Sequence, residues 1–212
     1  MALKRSGVRR VVFLSSLGAE VAEGTGPIAW LHDTEECLLL LGIDLLILRP
    51  GYFYENFYGA IGLIKTQGIN GGAIAPDIPV AMTATEDIGR AAAAELLGAD
   101  FHGSRIRELL GPRDYTMAEA TRILGAKIGK PDLAYVRFQD GEFVKGLTQA
   151  GVSHGVAEAF LELAQAINAG KVRSLHGRTP QTVMPTTLEA FADRFAAAYR
   201  AVRGQVTPER QT

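Results

Sequence analysis

Several features that would point directly to a function are scarce or missing in this 212-residue sequence. A single cysteine, Cys37, excludes an intrachain disulfide, and we expect a reducing, cytoplasmic setting. The formal net charge of −1 gives no electrostatic reason to expect nucleic acid or an anionic membrane as a direct partner. No apolar run reaches membrane-spanning length, and the N-terminus lacks the apolar segment of a secretory signal.

Common nucleotide and metal motifs are missing as well. The sequence contains neither Gly-x-Gly-x-x-Gly nor a P-loop. His102, His154 and His176 are scattered without metal-ligand spacing, so we expect no metal site. What remains is the composition of a globular protein, with 47% hydrophobic and 21% charged residues.

The clearest structural signal lies between Gly7 and Phe57. Short apolar runs at residues 11–14 and 45–48 are typical of strands buried on both faces of a parallel sheet. The intervening segment has room for the crossover helix that parallel strands need, and Pro27 suits its first position. The pattern therefore predicts an α/β protein built on a parallel sheet.

The pattern of predicted secondary structure changes near residue 112, and most of the segments after it have helical patterns. We expect a sheet-based part over residues 1–112 and a smaller, mostly helical lobe over residues 113–212. Two capping boxes, Thr116 with Glu119 and Thr186 with Glu189, predict helix starts in this second part. Residues 204–212 are polar, and we expect them to be frayed.

Polar and aromatic residues follow the two predicted strands. Ser15 and Ser16 come after the first strand, where they either contact a ligand at the rim of the sheet or cap a turn. The second strand leads into Arg49-Pro-Gly-Tyr-Phe-Tyr-Glu-Asn56, which is either a cradle for a planar ring or an aromatic plug between two lobes. In that segment, Gly51 would let a flat group approach the backbone closely.

His32 and Glu36 are the only closely spaced pair of a histidine and a carboxylate that we single out. They are four residues apart on the predicted crossover helix, hence on one face. Histidine can carry a proton near neutral pH, and Glu36 could orient it. The alternative is an exposed helical pair without a chemical role. Cys37 is expected in the core rather than as a nucleophile.

Several segments together resemble the NmrA-like, atypical short-chain dehydrogenase/reductases. They are Gly7-Val-Arg-Arg-Val-Val-Phe-Leu-Ser-Ser, His32-Asp-Thr-Glu-Glu, Leu48-Arg-Pro-Gly-Tyr-Phe-Tyr-Glu-Asn-Phe, Glu86-Asp-Ile-Gly-Arg, Leu109-Leu-Gly-Pro-Arg-Asp-Tyr-Thr and Pro185-Thr-Thr-Leu-Glu-Ala-Phe-Ala. The resemblance implies a Rossmann-type sheet that binds NADP or NAD, and a C-terminal substrate lobe. It also implies a small-molecule substrate, such as a quinone or azo compound, or cofactor sensing with little turnover.

The resemblance assigns roles to particular residues. Catalytic roles would fall to His32 and Glu36, with His32 facing the nicotinamide and the substrate. Substrate contacts would fall to Tyr54 and Asn56. The cofactor would be bound by Ser15, Ser16, Leu17, Pro50, Gly51, Tyr52, Phe53, Tyr54 and Glu55.

The sequence departs from the family pattern in two ways. The Tyr-x-x-x-Lys pair of ordinary short-chain dehydrogenases is replaced by His32-x-x-x-Glu36, which favours quinone over carbonyl reduction, because a quinone asks less of a protein proton donor. In the family, a strand, a glycine-rich phosphate loop, a helix and several further strands come before the equivalent of residues 2–7, and these have no counterpart here. We therefore expect weak or absent dinucleotide binding by this chain alone, an open apolar edge at residues 11–14, and homo-oligomers formed through that edge.

Overall fold

The computed structural model describes residues 2–98 and 101–202, so the predicted frayed end at 204–212 lies outside the described residues. The strands are Arg10–Leu14 (β1), Asp44–Pro50 (β2), Tyr52–Phe53 (β3), Ile69–Gly72 (β4), Val80–Thr83 (β5), Ser104–Leu109 (β6), Asp114–Tyr115 (β7) and Ala134–Arg137 (β8). The helices are Ala2–Arg5 (α1), Pro27–Leu39 (α2), Ile61–Gln67 (α3), Thr85–Gly98 (α4), Met117–Lys127 (α5), Asp140–Gln149 (α6), His154–Asn168 (α7) and Leu188–Ala201 (α8), with a 3-10 helix at Tyr54–Ala60. None of the helices in these ranges combines the length and apolar character needed to cross a bilayer.

A three-stranded parallel sheet in the order β1-β2-β6 confirms the predicted α/β class. Val12 lies opposite Leu46, and Leu46 lies opposite Arg105. The crossover helix α2 begins at Pro27, as predicted, and connects β1 to β2. Two smaller sheets, β3-β5-β7 and β4-β8, lie further along the chain.

The two apolar runs differ in their burial. Every residue of β2 after Asp44 is buried, as expected of a central parallel strand. β1 pairs only with β2 among the described residues, and its side chains are half-buried or exposed. Leu14 is 48% exposed. The expectation that residues 11–14 are buried on both faces is therefore wrong, whereas the open edge expected there is present.

Two apolar clusters hold the elements together. The smaller one packs Ile88 and Ala91 of α4 against Leu46 and Leu48 of β2. The larger one runs from residue 54 to residue 195 and joins aromatic side chains of the 3-10 helix to α5 and α8. Because this core draws on residues from both sides of position 112, the division into 1–112 and 113–212 stays a prediction.

Side chains cap two of the later helices. Thr116 and Glu119 form the predicted capping box at the start of α5. The second predicted box is wrong by one residue, because the Thr187 hydroxyl, not that of Thr186, accepts the N–H of Ala190. Consecutive threonines leave the choice of cap to the tertiary contacts of the chain entering the helix.

Candidate functional site

A cavity of about 610 Å³ opens at the carboxyl ends of β1 and β2. Ser15 and Pro50 form its wall on the sheet side, Leu31 of α2 adds to it, and Phe143 of α6 and Leu163 of α7 close the opposite side. We call it the rim cavity. Its size is typical of a pocket for a small organic molecule, and its place is where parallel α/β sheets bind ligands.

The predicted site residues fall into two groups with respect to this cavity. Residues 15–17, 50–53 and 56 line the rim cavity. The other four predicted residues, His32, Glu36, Tyr54 and Glu55, are not among the residues that line it in the described part of the chain. The two serines and the Pro-Gly-Tyr-Phe segment are thus brought together from positions about 35 residues apart in the sequence.

Backbone hydrogen bonds hold the two rim segments side by side. The Ser15 N–H donates to the Leu48 carbonyl at 2.8 Å, and the Leu17 N–H donates to the Pro50 carbonyl at 3.0 Å. Gly51 is needed here for a reason other than ligand approach. A Cβ at Gly51 would lie 2.3 Å from the carbonyl oxygen of Ala81, so β5 occupies the space that a side chain would need.

A buried ion pair behind the rim was missed by the sequence reasoning. Glu35 accepts hydrogen bonds from Nε and Nη2 of Arg49 at 3.0 and 2.6 Å, and it also accepts the hydroxyl hydrogen of Ser15. A second carboxylate, that of Glu20, accepts Nη1 of Arg49 at 3.0 Å. Burial works against the charge of Arg49, but the hydrogen bond and charge of Glu35 outweigh it and raise the pKa of the guanidinium.

The position of this pair in the sequence explains why it was missed. Glu35 and Arg49 are fourteen residues apart and meet only when α2 packs on the sheet. Glu35 and Glu36 are neighbours, but Glu35 is buried and Glu36 is exposed. The available signal was the stripe of apolar residues on α2, since Glu35 lies four residues after Leu31 on the inward side.

His32 contacts the loop that follows β1. Its Nδ1 lies 2.8 Å from the carbonyl oxygen of Ala19, so Nδ1 carries the hydrogen and Nε2 is the acceptor in the neutral ring. No hydrogen bond or ion pair in the described ranges joins His32 to Glu36. Their catalytic roles remain a prediction, and of the two neighbours Leu31 and His32 only Leu31 lines the rim cavity. Cys37 is exposed, so its expected place in the core is wrong.

Tyr54 and Glu55 have structural contacts. Tyr54 is fully buried, and its ring lies 5.5 Å from that of Phe191 and 6.2 Å from that of Tyr115. The Glu55 carboxylate accepts the N–H of Thr85 at the start of α4, at 3.0 Å. Of the two alternatives for this segment, Tyr54 fits the aromatic plug, because its ring packs against other aromatic rings. Tyr52 and Phe53 instead line the rim cavity. The cofactor and substrate roles assigned to Tyr54 and Glu55 remain predictions.

Two phenols belong to the wall of the rim cavity, those of Tyr52 and Tyr135. Burial raises the pKa of Tyr52 to about 12, with the Asn56 side chain opposing the rise. Burial also raises the pKa of Tyr135, and the nearby Tyr52 adds to the effect. The Tyr135 hydroxyl donates to the Ile74 carbonyl at 2.9 Å. Both phenols are therefore neutral at physiological pH.

The glycine-containing turn before α2 does not form a phosphate site. Gly26 has φ of 58°, and a Cβ there would lie 2.0 Å from the carbonyl oxygen of Ala159. This glycine therefore serves the close packing of α2 on α7 rather than the approach of a phosphate. Within residues 2–98 and 101–202, no group of three or more His, Cys, Asp or Glu side chains is arranged to hold a metal ion.

Comparison with known proteins gives several relatives, although no family model matches the chain. Prestalk A differentiation protein A of Dictyostelium discoideum is 27% identical over 203 residues, which is 90% of this chain and 62% of that protein. Quinone oxidoreductase 2 of Escherichia coli is 28% identical over 160 residues, which is 74% of this chain and 54% of that protein. The chain thus spans between about half and three fifths of the length of these two relatives.

Among solved structures, the NADPH-dependent quinone oxidoreductase of Escherichia coli, in complex with NADPH, superposes with a TM-score of 0.76 at 24% identity. The match covers 91% of this chain and 68% of that one. At this identity the likeness establishes the fold, and the chain accordingly has a Rossmann-like α/β fold of the kind found in that reductase.

Proposed function

We propose that this chain is part of an NAD(P)H-dependent oxidoreductase of the NmrA-like type, acting on a quinone-like or other small planar acceptor. The observation that carries the proposal is the rim cavity itself. It is largely apolar and lies at the carboxyl ends of parallel strands. It is lined by residues 50–53, which belong to the segment that the sequence suggests as a cradle for a planar ring. The similarity to a quinone oxidoreductase supports the same reading.

The residues of the rim suit the ring end of a nicotinamide cofactor. Pro50 and Tyr52 would hold the ring by apolar contact, and Ser15 and Ser16 offer hydroxyl oxygens beside it. The cofactor would supply the hydride. The rim cavity would hold the acceptor within reach of that hydride and keep water from it, because its walls are mostly apolar.

Protonation of the reduced acceptor needs a source other than a tyrosine paired with a lysine. The phenol of Tyr52 lines the rim cavity with its hydrogen in place, so it can donate a hydrogen bond to an acceptor oxygen. A raised pKa makes it a poor proton donor, and solvent is then the source of the proton. A quinone tolerates this arrangement, since hydride transfer gives the hydroquinone monoanion, which takes its one remaining proton from water.

A titration with NADPH followed by fluorescence tests the proposal, with 1,4-benzoquinone added at saturation and NADPH consumption followed at 340 nm. Saturable binding with turnover supports the reductase. Binding of NADPH without its consumption in the presence of the quinone contradicts the reductase. Failure to bind NADPH, which the lack of a glycine-rich phosphate loop leads us to expect for this chain alone, would make the polypeptide a fragment without cofactor binding. A matched variant is Tyr52→Leu, which removes an aromatic ring from the wall of the rim cavity and should reduce binding or turnover.

A non-catalytic NAD(P)-sensing regulator is the second candidate, and the position of His32 favours it. This histidine is held by the Ala19 carbonyl and does not line the rim cavity in the described structure. A regulator would bind NADPH without consuming it in the presence of quinone. His32→Asn should leave its cofactor affinity unchanged, whereas in a reductase that uses His32 the same change lowers kcat.

A further inference from the structure

Three of the four hydroxyl groups of the rim cavity share a pattern in their hydrogen bonds, and the fourth, that of Tyr52, keeps a hydrogen that it can donate. Four hydroxyl-bearing residues line it within the described structure, Ser15, Ser16, Tyr52 and Tyr135. The hydroxyl of Ser15 donates to the Glu35 carboxylate, that of Ser16 donates to the Leu17 carbonyl at 3.0 Å, and that of Tyr135 donates to the Ile74 carbonyl at 2.9 Å. Carbonyl and carboxylate oxygens only accept, so the direction of each bond is fixed.

A hydroxyl whose hydrogen is committed in this way can only accept from a ligand. After donating its hydrogen, each hydroxyl oxygen still has a free lone pair. A ligand in the cavity can donate a hydrogen bond to that lone pair but finds no hydrogen to accept. Ser15 is the strongest of the three acceptors, because the negative charge of Glu35 polarises its O–H bond toward the carboxylate. The Arg49 guanidinium, forked onto Glu35 at 3.0 and 2.6 Å, keeps that carboxylate in place.

The wall of the cavity also lacks charge in the described part of the chain. No Lys, Arg, His, Asp or Glu side chain is among its lining residues there. The amide of Asn70 is engaged by Thr121 and by the N–H of Gly71, at 2.8 and 2.9 Å. A charged ligand would lose its hydration without compensation at such a surface, whereas a neutral aromatic molecule would not.

From this pattern we infer that the rim cavity selects neutral planar aromatic ligands that carry a hydroxyl or amino hydrogen, which Ser15 accepts. The inference rests on the proposed function only in taking the rim cavity as the acceptor site. It narrows the acceptor from any quinone-like molecule to quinone-like molecules that also carry a hydroxyl or amino hydrogen. The feature that assigns this specificity is the direction of the Ser15 hydrogen bond, which Glu35 and Arg49 fix from behind the rim.

The test compares two probes of nearly equal shape, 2-naphthol and 2-methoxynaphthalene, of which only the first has a hydrogen to donate. Their affinities for the chain without any cofactor are measured by naphthalene fluorescence or calorimetry. We expect 2-naphthol to bind about 3- to 10-fold more tightly, the range expected for one net hydrogen bond. Because no nicotinamide is present, a chain that fails to bind NADPH can still pass or fail this test.

Variants assign the preference to a residue. Ser15→Ala should bring the two affinities within about 2-fold of each other, while Ser153→Ala, an exposed serine at the start of α7, should leave the preference unchanged. Tyr135→Phe removes a second acceptor, so it tests the pattern independently if Ser15→Ala does not fold. Equal binding of the two probes by the unaltered chain would overturn the inference, as would a preference that survives in a folded Ser15→Ala variant or, where that variant does not fold, in Tyr135→Phe.

Discussion

Arg49 lies between the carboxylates of Glu35 and Glu20 and donates hydrogen bonds to both. Through Glu35 it also fixes the hydrogen bond of Ser15 at the rim. Its side chain is 9% exposed and that of Glu35 is 4% exposed, so neither charge is well hydrated. We expect Arg49→Leu to lower the free energy of unfolding by about 3 to 5 kcal/mol, because it leaves the Glu35 carboxylate buried without a counter-charge. Urea denaturation of both proteins at pH 7 measures the difference.

An exposed ion pair provides the control for this prediction. Lys127 of α5 lies 2.6 Å from Asp193 of α8, with exposed fractions of 44% and 68%. Lys127→Met should cost no more than about 1 kcal/mol, since solvent already hydrates both groups. A loss for Arg49→Leu as small as that for Lys127→Met would show that Glu35 finds water or another partner.

The phenol of Tyr52 should make the fold less stable at alkaline pH. Its pKa is raised from 10.0 to about 12 by burial, so the folded state favours the neutral phenol more than the unfolded state does. The stabilisation linked to this group is complete below pH 10 and is lost as the pH rises from about 10 to 12. We expect the urea midpoint to fall more steeply over that interval in the unaltered chain than in Tyr52→Phe.

Burial raises the pKa of other tyrosines as well, among them Tyr58 and Tyr115, so this prediction rests on a comparison between variants. Tyr199→Phe on α8 is the matched control, and it should retain the steep fall of the unaltered chain. Parallel curves for the unaltered chain and Tyr52→Phe would mean that the Tyr52 phenol ionises as readily in the folded as in the unfolded state.

At the scale of single residues, the sequence predicted rim positions better than it predicted chemistry. Ser15 and Tyr52 were found because they follow apolar strand-like runs, and the ends of such strands converge in a parallel sheet. Glu35 was missed because a carboxylate on a leucine-rich helix is expected to face solvent unless a buried partner for it is known. The spacing of His32 and Glu36 was compatible with a pair, but His32 takes a backbone partner instead.

Among the elements, the start of α8 tests how capping is chosen between two neighbouring threonines. The Thr187 hydroxyl accepts the Ala190 N–H at 3.1 Å, so Thr187→Ala should cost about 1 kcal/mol of stability. At Thr186 the backbone makes the contacts, with its N–H donating to Asp87 and its carbonyl accepting from Tyr54. Thr186→Ala should therefore change the thermal midpoint little, and the reverse order of effects would reinstate the predicted box.

The strands show which sequence signals were sufficient. β1 and β2 were predicted from continuous apolar runs, and their parallel pairing followed from the length of the crossover between them. β4 contains Gly71 and Gly72, and glycine has low strand propensity. It forms nonetheless, since a Cβ at Gly71 would lie 2.4 Å from the ring of Phe138, and only glycine lets β4 pair with β8 there.

At the scale of the whole molecule, the rim cavity is a product of tertiary structure that no single segment encodes. Its sheet-side wall was predictable, because two strand ends meet there. The opposite wall comes from α6 and α7, more than ninety residues later in the chain, and their helical periodicity indicates amphipathic helices without saying what they cover. The hydrogen bond from Ser15 to Glu35 was equally out of reach, because it forms only when α2 packs on the sheet.

The edge of β1 predicts how whole chains behave toward one another. Its outer backbone groups have no strand partner among the described residues, and Leu14 at its end is 48% exposed. Unpaired backbone groups on an apolar edge favour pairing with another copy. We therefore expect concentration-dependent association in sedimentation velocity experiments, and we expect Leu14→Lys to shift the distribution toward the monomer, because a charge on an edge strand opposes pairing.

Leu97 separates an effect of this edge from one of general surface hydrophobicity. It is 87% exposed near the end of α4, so Leu97→Lys adds the same charge without altering a residue of the strand. Association through β1 predicts that Leu97→Lys sediments like the unaltered chain while Leu14→Lys does not. If both lysine variants become monomeric to the same extent, net charge rather than strand pairing controls association, and an unaltered chain that is already monomeric would show that the edge is protected without a second copy.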